Sequence, residues 1–329
     1  MLFNKDTDHK GTDELKKLTG FLYASVNFEN IKTDVQLQEE AMIELIGQDV
    51  YDRAETYYNS EDFDPDGTEL NDQLVQYMRL PIAYYAIHAY QAHTDVSHSG
   101  DGRKIKIDSD NEKLPWEWML HRDDEATLNK AHKTTDRLIA FLEKNEDNIA
   151  EWKNSDAQKA ARSLFINNAK QFDEIFPIDK SRRFFMHIIP FVKEAERKHL
   201  RPVLGDMFDD IKAAIKSGDF TDYDDTFAYI RVPVAFFALS MAVQRLSVQI
   251  LPNGIFQEYV SERLTQKAKQ VADTAVRKEV GKALFEDAQQ ELRTLAEYLN
   301  KLEAEAAGED FETPDMTGHI NYNEKIVRL

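Results

Sequence analysis

Apolar residues recur every three or four positions along most of this chain, which is the spacing of one face of an α-helix. The pattern predicts helices over residues 36–58, 69–93, 116–144, 185–198, 203–216, 224–248 and 258–302. Asn71 and Asp224 lie where two N-caps are expected, and Pro115 suits the first turn of a helix. The periodicity therefore predicts a mainly α fold.

One apolar stretch occurs twice, as YMRLPIAYYA from Tyr77 and as YIRVPVAFFA from Tyr229. Each copy carries a proline inside a predicted helix, where the missing N–H and the ring clash predict a bend. An arginine precedes each proline by two residues, and we interpret it as a structural core residue, with an interface role as the alternative. The residues assigned to the two bends are Arg79, Pro81, Arg231 and Pro233.

The similarity continues beyond this stretch. The pairs Asp101-Gly102 and Asn253-Gly254 each predict a short β-hairpin, because Asn or Asp followed by Gly readily supplies positive φ. Further along, LIAFLEK from Leu138 is similar to LAEYLNK from Leu295. We infer two tandem duplicated helical-bundle domains. The expected divisions are a first repeat with an N-terminal arm at 1–144, a linker helix at 145–163, a second repeat at 164–302 and an extended C-terminal arm at 303–329.

Composition narrows the class of protein. The absence of cysteine excludes disulfides, thiolate nucleophiles and zinc–thiolate sites, and it favours folding in a reducing cytoplasm. The longest apolar runs fall far below the roughly 18 residues that span a bilayer. The N-terminal residues turn charged at once and lack the apolar core of a signal peptide. We therefore expect no membrane association.

Charge is unevenly distributed within a net charge of −19. Residues 1–150 hold 16 Lys+Arg against 31 Asp+Glu, whereas residues 151–329 hold 25 against 29. Such acidity disfavours dedicated nucleic-acid binding, which depends on cations that displace counterions from phosphates. An acidic surface of this kind suits the lining of a channel through which DNA passes without binding.

The sharpest local motif is D-x-D-x-D-G, formed by Asp62, Asp64 and Asp66 before Gly67. It reproduces the first six positions of an EF-hand loop, but position 12 is Gln73 where a bidentate Glu is needed. We interpret the segment as an Asp-rich turn between helices, with a calcium site as the alternative.

Other catalytic or metal motifs are incomplete. Glu196 and His199 have the Glu-x-x-His spacing, yet a di-iron bundle needs a second such pair and two further glutamates. The chain contains no G-x-S-x-G, H-E-x-x-H, Walker or G-x-G-x-x-G motif. We therefore expect no enzymatic activity, no cofactor and no metal site.

Basic clusters occur in the less acidic half, as KSRR from Lys180 and as RKHLR from Arg197. An acidic surface of a neighbouring subunit is a natural electrostatic partner for them, and ordinary surface charge is the alternative. The residues assigned to a subunit interface are Lys180, Arg182, Arg183, Arg197, Lys198 and Arg201. Contacts between unlike faces of this kind close into rings.

Three features together resemble the head-tail connector (adaptor) proteins of tailed bacteriophages. These features are a helical unit with a hairpin between its later helices, the segment FINNAKQFDEIFPIDKSRRFFMHIIP from Phe165, and the extended C-terminal arm. The resemblance covers most of residues 164–302 and, more loosely, residues 21–144.

The resemblance implies a non-enzymatic virion protein of the neck, assembled in the host cytoplasm. Its subunits would form a homo-oligomeric ring between the portal protein and the tail proteins, and double-stranded DNA would pass through without specific binding. The C-terminal segment of such proteins inserts into the portal, which here corresponds to residues 308–329, with a disordered C-terminus as the alternative. The side chains of an added strand would then come from Tyr322, Ile326, Val327 and Leu329.

Two other classes stay open. One is an intracellular helical adaptor or regulatory protein that binds peptide partners in the grooves beside the bent helices, and that stays monomeric or dimeric. The other is an enzyme with a carboxylate or metal site, for which the aspartates at 62, 64 and 66 are the only candidate ligand cluster.

Overall fold

The computed structural model describes residues 1–5, 11–20, 26–94, 97–99, 102–104, 115–220, 223–246, 248–251, 254–257 and 274–308. The fold is mainly α, as the periodicity predicted. The helices are α1 (Gly11–Thr19), α2 (Phe28–Ile46), α3 (Gln48–Tyr58), α4 (Leu70–Thr94), α5 (Glu117–Lys144), α6 (Ala150–Lys153), α7 (Asp156–Arg162), α8 (Ala169–Ile175), α9 (Arg182–Ala195), α10 (Arg201–Leu204), α11 (Met207–Ser217), α12 (Asp224–Arg245) and α13 (Thr274–Ala307). A π-helical turn at Glu196–Leu200 joins α9 to α10.

Two short antiparallel strand pairs follow long helices. Strand β1 (Ser97–Ser99) pairs with β2 (Gly102–Lys104) between α4 and α5 in the chain. Strand β3 (Val248–Leu251) pairs with β4 (Gly254–Gln257) between α12 and α13. Asp101 and Asn253, the first residues of the predicted turn pairs, lie outside the described residues.

The chain divides into two compact units. The first unit comprises Met1–Pro190 and Ser247–Asp273, and the second comprises Phe191–Leu246 and Thr274–Leu329. The division thus falls within α9, whereas the sequence pattern placed the linker at 145–163. Residues 145–190 belong to the first unit.

The core of the first unit lies between α2, α3, α4 and α5. Tyr77 of α4 contacts Phe141 of α5 with ring centroids 4.8 Å apart, and Tyr85 contacts His132 at 6.0 Å. Because the contacting α5 positions fall as the α4 positions rise, the two helices run antiparallel. Helix α4 continues through Pro81, and the bend there stays a prediction.

Residues 36–58 form two helices instead of the single predicted one. Gly47 has φ 98°, a conformation that side chains with a Cβ rarely adopt, and its N–H donates to the Ile43 carbonyl at the end of α2. Ile46 and Val50 on either side are both buried, so the apolar pattern runs across the break. Periodicity alone therefore missed it.

The predicted linker helix at 145–163 is in fact the two short helices α6 and α7. Ser155 caps α7 by accepting a hydrogen bond from the Gln158 N–H. Trp152 and Ile149 are buried in the core of the first unit. Residues 145–163 are mostly polar, which suggested a linker, but their few large apolar side chains anchor them in the core of the first unit.

The second unit is organised around α12 and α13, which pack antiparallel. Tyr229 stacks on Tyr298 with centroids 4.2 Å apart, and the Ser240 hydroxyl donates to the Gly281 carbonyl at 2.7 Å. Among the described residues, α12 alone is long and apolar enough to match a membrane span, and 61% of its most apolar window is buried inside the protein. Such burial is typical of the core helix of a folded domain.

The predicted helix starts need correction. Helix α4 begins at Leu70, and the Asn71 side chain accepts from the Arg53 guanidinium instead of capping the helix. Helix α12 begins at Asp224, so Tyr223 occupies the N-cap position. Pro115 precedes α5 and its N-cap residue, so it does not lie in the first turn.

Candidate interaction site

Arg79 lies in the core of the first unit. Its side chain is 5% exposed and forms an ion pair with Glu14 of α1. The guanidinium also lies over the rings of Phe3 and Tyr58, at 4.9 and 5.1 Å from their centroids. Burial lowers the pKa of Arg79, while the Glu14 charge opposes that shift. These contacts agree with a structural role.

Arg231, the corresponding residue of the second repeated stretch, has a different environment. It is partly exposed, and its guanidinium lies 4.8 Å from the Phe227 ring centroid on its own helix. Helix α12 continues through Pro233, which is buried. The bend at Pro233 stays a prediction, as at Pro81.

The first basic cluster fastens the start of α9 to α5. The Arg182 guanidinium pairs with Glu143 at 2.6 Å, and the Arg183 backbone N–H donates to Asp136 at 2.6 Å. Lys180 is exposed. Part of this cluster is therefore engaged within the first unit, and its role in a subunit interface stays a prediction.

The second basic cluster lies in the π-helical turn and α10. Arg197 and Lys198 are exposed, and Lys198 forms an ion pair with Glu194. Arg201 pairs with Asp209 at 2.8 Å, and both side chains are exposed. Exposed pairs of this kind exchange partners at little cost, so this cluster also remains a candidate interface.

The Asp-rich loop forms a hydrogen-bonded turn. The Asp66 N–H donates to the Asp64 carboxylate at 3.0 Å, and the Asp64 N–H donates to the buried Asp72 carboxylate at 2.9 Å. The carboxylate of Asp64 thus closes an Asx turn, as the interpretation of an interhelical turn expected. In the described part of the chain, no group of three or more His, Asp or Glu side chains is arranged to hold a metal ion.

The Glu-x-x-His pair of the sequence lies in the π-helical turn, but its two side chains have different partners. Glu196 is buried and accepts from Lys212 of α11 at 2.5 Å. His199 stacks on Phe237 of α12, with centroids 3.8 Å apart and planes 8° apart. Burial lowers the pKa of both Lys212 and His199. A π-helical turn often marks a functional position, and here its side chains contact the two helices α11 and α12.

Large apolar side chains are exposed at the start of α5 and of α13. Trp116, the N-cap residue of α5, is 70% exposed, and Trp118 and Met119 are 47% and 42% exposed. Val276 and Val280 in the first turns of α13 are 49% and 44% exposed. Each of these helices follows a strand pair in the chain. Exposed apolar patches on folded proteins commonly mark interaction sites, so the starts of α5 and α13 are candidates for one.

A cleft of about 490 Å³ opens between the start of α4 and the end of α5. The residues that line it are Thr68, Leu70, Gln73, Tyr77, Arg137, Ala140, Phe141, Lys144 and Asn145. Arg137 lies 4.6 Å from the Tyr77 ring centroid and donates to the Tyr77 hydroxyl at 3.1 Å. Sequence reasoning missed this cleft, because Arg137 and Tyr77 are far apart in the chain and only helix pairing brings them together.

The residues assigned to portal binding have no structural account. Tyr322, Ile326, Val327 and Leu329 lie outside the described residues, which end at Gly308. Their role stays a prediction.

A family model matches two segments of this chain, residues 37–162 and 200–309, and its description is a family of unknown function, DUF6712. The segments together cover well over half of the chain. No curated protein and no solved structure matches it.

Proposed function

The chain belongs to the family of unknown function DUF6712, and we propose that it is a non-enzymatic structural subunit of a homo-oligomeric ring. In this proposal the ring is the connector of a tailed bacteriophage, which joins the portal protein to the tail proteins and extends the DNA channel. The protein would act at the neck of the virion after assembly in the host cytoplasm.

One observation carries the proposal: the exposed apolar ends of α5 and α13. Trp118 and Met119 lie in the first turn of α5, and Val276 and Val280 lie close to the first described residue of α13. Each of the two helices follows a strand pair in the chain. One surface carries tryptophan and methionine and the other carries valine, and in this proposal each contacts the other kind in a neighbouring copy. When two copies bind through unlike surfaces, one copy keeps a free α5 surface and the other keeps a free α13 surface. Further copies can bind to these free surfaces in the same way, and the repeated contact closes a ring.

A tandem duplication is part of this proposal. The sequence alignment places Tyr77 against Tyr229 and Phe141 against Tyr298, and in each unit these aromatic residues contact each other across two antiparallel helices. The order of long proline-containing helix, strand pair and long helix also recurs. These correspondences support two copies of one helical unit.

The acidic charge of the first half of the chain and the C-terminal arm also fit the connector proposal. The acidic excess of residues 1–150 suits a wall that repels DNA phosphates, so that DNA passes without specific binding. Residues 308–329 would insert into the portal, with Tyr322, Ile326, Val327 and Leu329 as strand side chains. This part of the proposal rests on the resemblance to connector proteins.

Native mass spectrometry and negative-stain imaging, with and without the cognate portal protein, test the proposal. We expect closed rings in the protein alone or on the portal. The double variant Trp118→Ser/Met119→Ser should lose them, whereas Leu37→Ser, which removes another exposed apolar side chain (54% exposed) from α2, should keep them. A protein that stays monomeric at micromolar concentration with the portal present overturns the proposal.

The second candidate is an intracellular helical adaptor or regulator that binds peptides, and the cleft between α4 and α5 favours it. A cleft lined by Tyr77, Phe141 and Arg137 has the aromatic and cationic groups that hold a short acidic peptide. Such a protein would stay monomeric or dimeric and would not associate with a portal, so the same imaging experiment separates the two candidates.

A further inference from the structure

The cleft between α4 and α5 carries positive charge in the acidic half of the chain. Arg137 and Lys144 line it, and both are exposed. Among the described residues, its lining contains no carboxylate. Since 31 acidic residues outnumber 16 basic ones in residues 1–150, a described lining with two cations and no carboxylate is a local exception. They favour an anionic ligand.

The walls between the two cations are aromatic. Tyr77 and Phe141 contact each other at 4.8 Å, and the Arg137 guanidinium lies over the Tyr77 ring. An arginine held on a ring is already ordered, so less side-chain freedom is lost when it binds a carboxylate. A ligand that combines carboxylates with an aromatic ring would satisfy both the charged and the apolar parts of the cleft.

The second repeat lacks this combination. When LIAFLEK is aligned with LAEYLNK, Arg137 corresponds to Thr294 and Ala140 corresponds to Glu297. A contact between two aromatic rings is thus present in both repeats, tilted in the first and stacked in the second, but the second has lost the guanidinium and gained a carboxylate. Packing alone requires only the contact between the rings, so the cationic character of the first cleft points to a ligand.

We propose that this cleft binds residues 309–312 (EDFE) of a second copy of the chain. These residues follow α13 directly in the chain, and their sequence has three acidic residues around Phe311. Gly308, with φ 72°, gives the chain a left-handed residue at which to leave α13. Charge complementarity and the aromatic side chain therefore match the cleft. The proposal rests on the proposed assembly of copies and names one of its contacts. It assigns residues 309–312 to the neighbouring copy and leaves residues 313–329, with Tyr322, Ile326, Val327 and Leu329, for insertion into the portal.

Disulfide cross-linking tests this contact, because the natural chain has no cysteine. Two single-cysteine proteins are mixed and oxidised: Ala140→Cys in the cleft of one, and Thr313→Cys beside the acidic segment of the other. We expect a mixed dimer joined through these two positions, identified by mass spectrometry of the linked peptides. Thr68→Cys on the opposite wall serves as a second cleft position if Ala140→Cys fails to fold.

Charge reversal supplies the specificity control. Arg137→Glu with Lys144→Glu in the cleft protein should lower the yield of mixed dimer about tenfold, and Glu309→Lys with Asp310→Lys in the other should restore it. Leu37→Cys, an exposed position on α2, should give little mixed dimer. Equal yield from Leu37→Cys, no response to charge reversal, or cross-links only within one chain in the double-cysteine protein overturns the proposal.

Imaging of the reduced proteins keeps the two proposals apart. If rings form on the portal without cross-linking at the cleft, this contact is wrong and the connector proposal stands. If the mixed dimer forms but no ring or portal complex is seen, the contact stands and the connector proposal is wrong.

Discussion

Arg79 of α4 forms an ion pair with Glu14 of α1 in the core of the first unit, and the Tyr58 hydroxyl donates to the same carboxylate at 2.9 Å. The three side chains join a short N-terminal helix to two helices of the core. The arginine belongs to a stretch that recurs at Tyr229, but the second copy leaves its arginine partly exposed. The two similar stretches therefore place their arginines in different environments, one buried and one partly exposed.

We predict that Glu14→Gln destabilises the protein by about 3 kcal/mol, because it leaves the buried guanidinium of Arg79 without its counter-charge. The free energy of unfolding in urea measures this loss. Glu286→Gln removes the partner of Lys282 in an exposed pair on α13 and should change stability by less than about 0.5 kcal/mol. Equal effects of the two variants would contradict a structural role for the Arg79 pair.

We predict that stability declines as the pH falls from 7.5 to 5.5, and that His199 contributes to the decline. Burial lowers the pKa of His199 in the folded protein below its ordinary value of 6.5. The unfolded state therefore takes up the proton first, so the stabilisation is complete above about pH 6.5 and diminishes below it. Urea midpoints at several pH values measure the slope.

His199→Phe is the matched variant for that experiment. It keeps an aromatic ring against Phe237 and Phe285 but removes the titrating group. Its stability should fall less over the same pH range than that of the natural protein. His132 in the first unit, whose pKa is also lowered by burial and by the Arg183 charge, should account for part of the remaining slope. An unchanged slope in His199→Phe counts against the prediction.

Gly281 of α13 contacts α12, and we predict that the effect of replacing it depends on Gln244. A Cβ at this position would lie 2.7 Å from Gln244 Nε2 and 2.9 Å from its Cγ. Gly281→Ala should therefore destabilise the protein by about 1 kcal/mol, despite the better helix propensity of alanine. Thermal and urea unfolding measure the change.

The stability change caused by Gly281→Ala should reverse its sign when the Gln244 side chain is shortened. In a Gln244→Ala background, Gly281→Ala should stabilise the protein by about 0.5 to 1 kcal/mol, because only the helix propensity remains. A double-mutant cycle isolates this coupling. Additive effects of the two substitutions would show that the helices are not in close contact at Gly281.

We predict that Trp152→Ala destabilises the protein by about 3 to 5 kcal/mol, since it removes a fully buried side chain from the core of the first unit. Trp116→Ala, at the exposed start of α5, should change stability by less than about 0.5 kcal/mol. Unfolding in guanidinium chloride compares the two. A small effect at Trp152 would restore the view of residues 145–163 as a connector.

The sequence by itself determined the mainly α fold and the positions of several long helices, although it did not predict the short helices α1 and α8. Helices α4 and α5 lie within one or two residues of the predicted spans 69–93 and 116–144, because a long amphipathic pattern has only one regular structure that buries its apolar side. The Asp-rich turn was also predicted correctly, since an aspartate in a turn bonds to backbone groups a few residues away. Local contacts of this kind are encoded by neighbouring residues.

Tertiary structure decided where the units divide and where surfaces lie. Trp152 is buried although the residues around it are polar, and Gly47 breaks a continuous apolar pattern by its backbone conformation. The partners of Arg79, Arg137 and Lys212 lie on other helices, at separations from 16 to 65 residues along the chain. Periodicity describes one helix at a time, so only the packing of helices could show which charges are paired, which are left in a cleft, and which apolar side chains remain exposed.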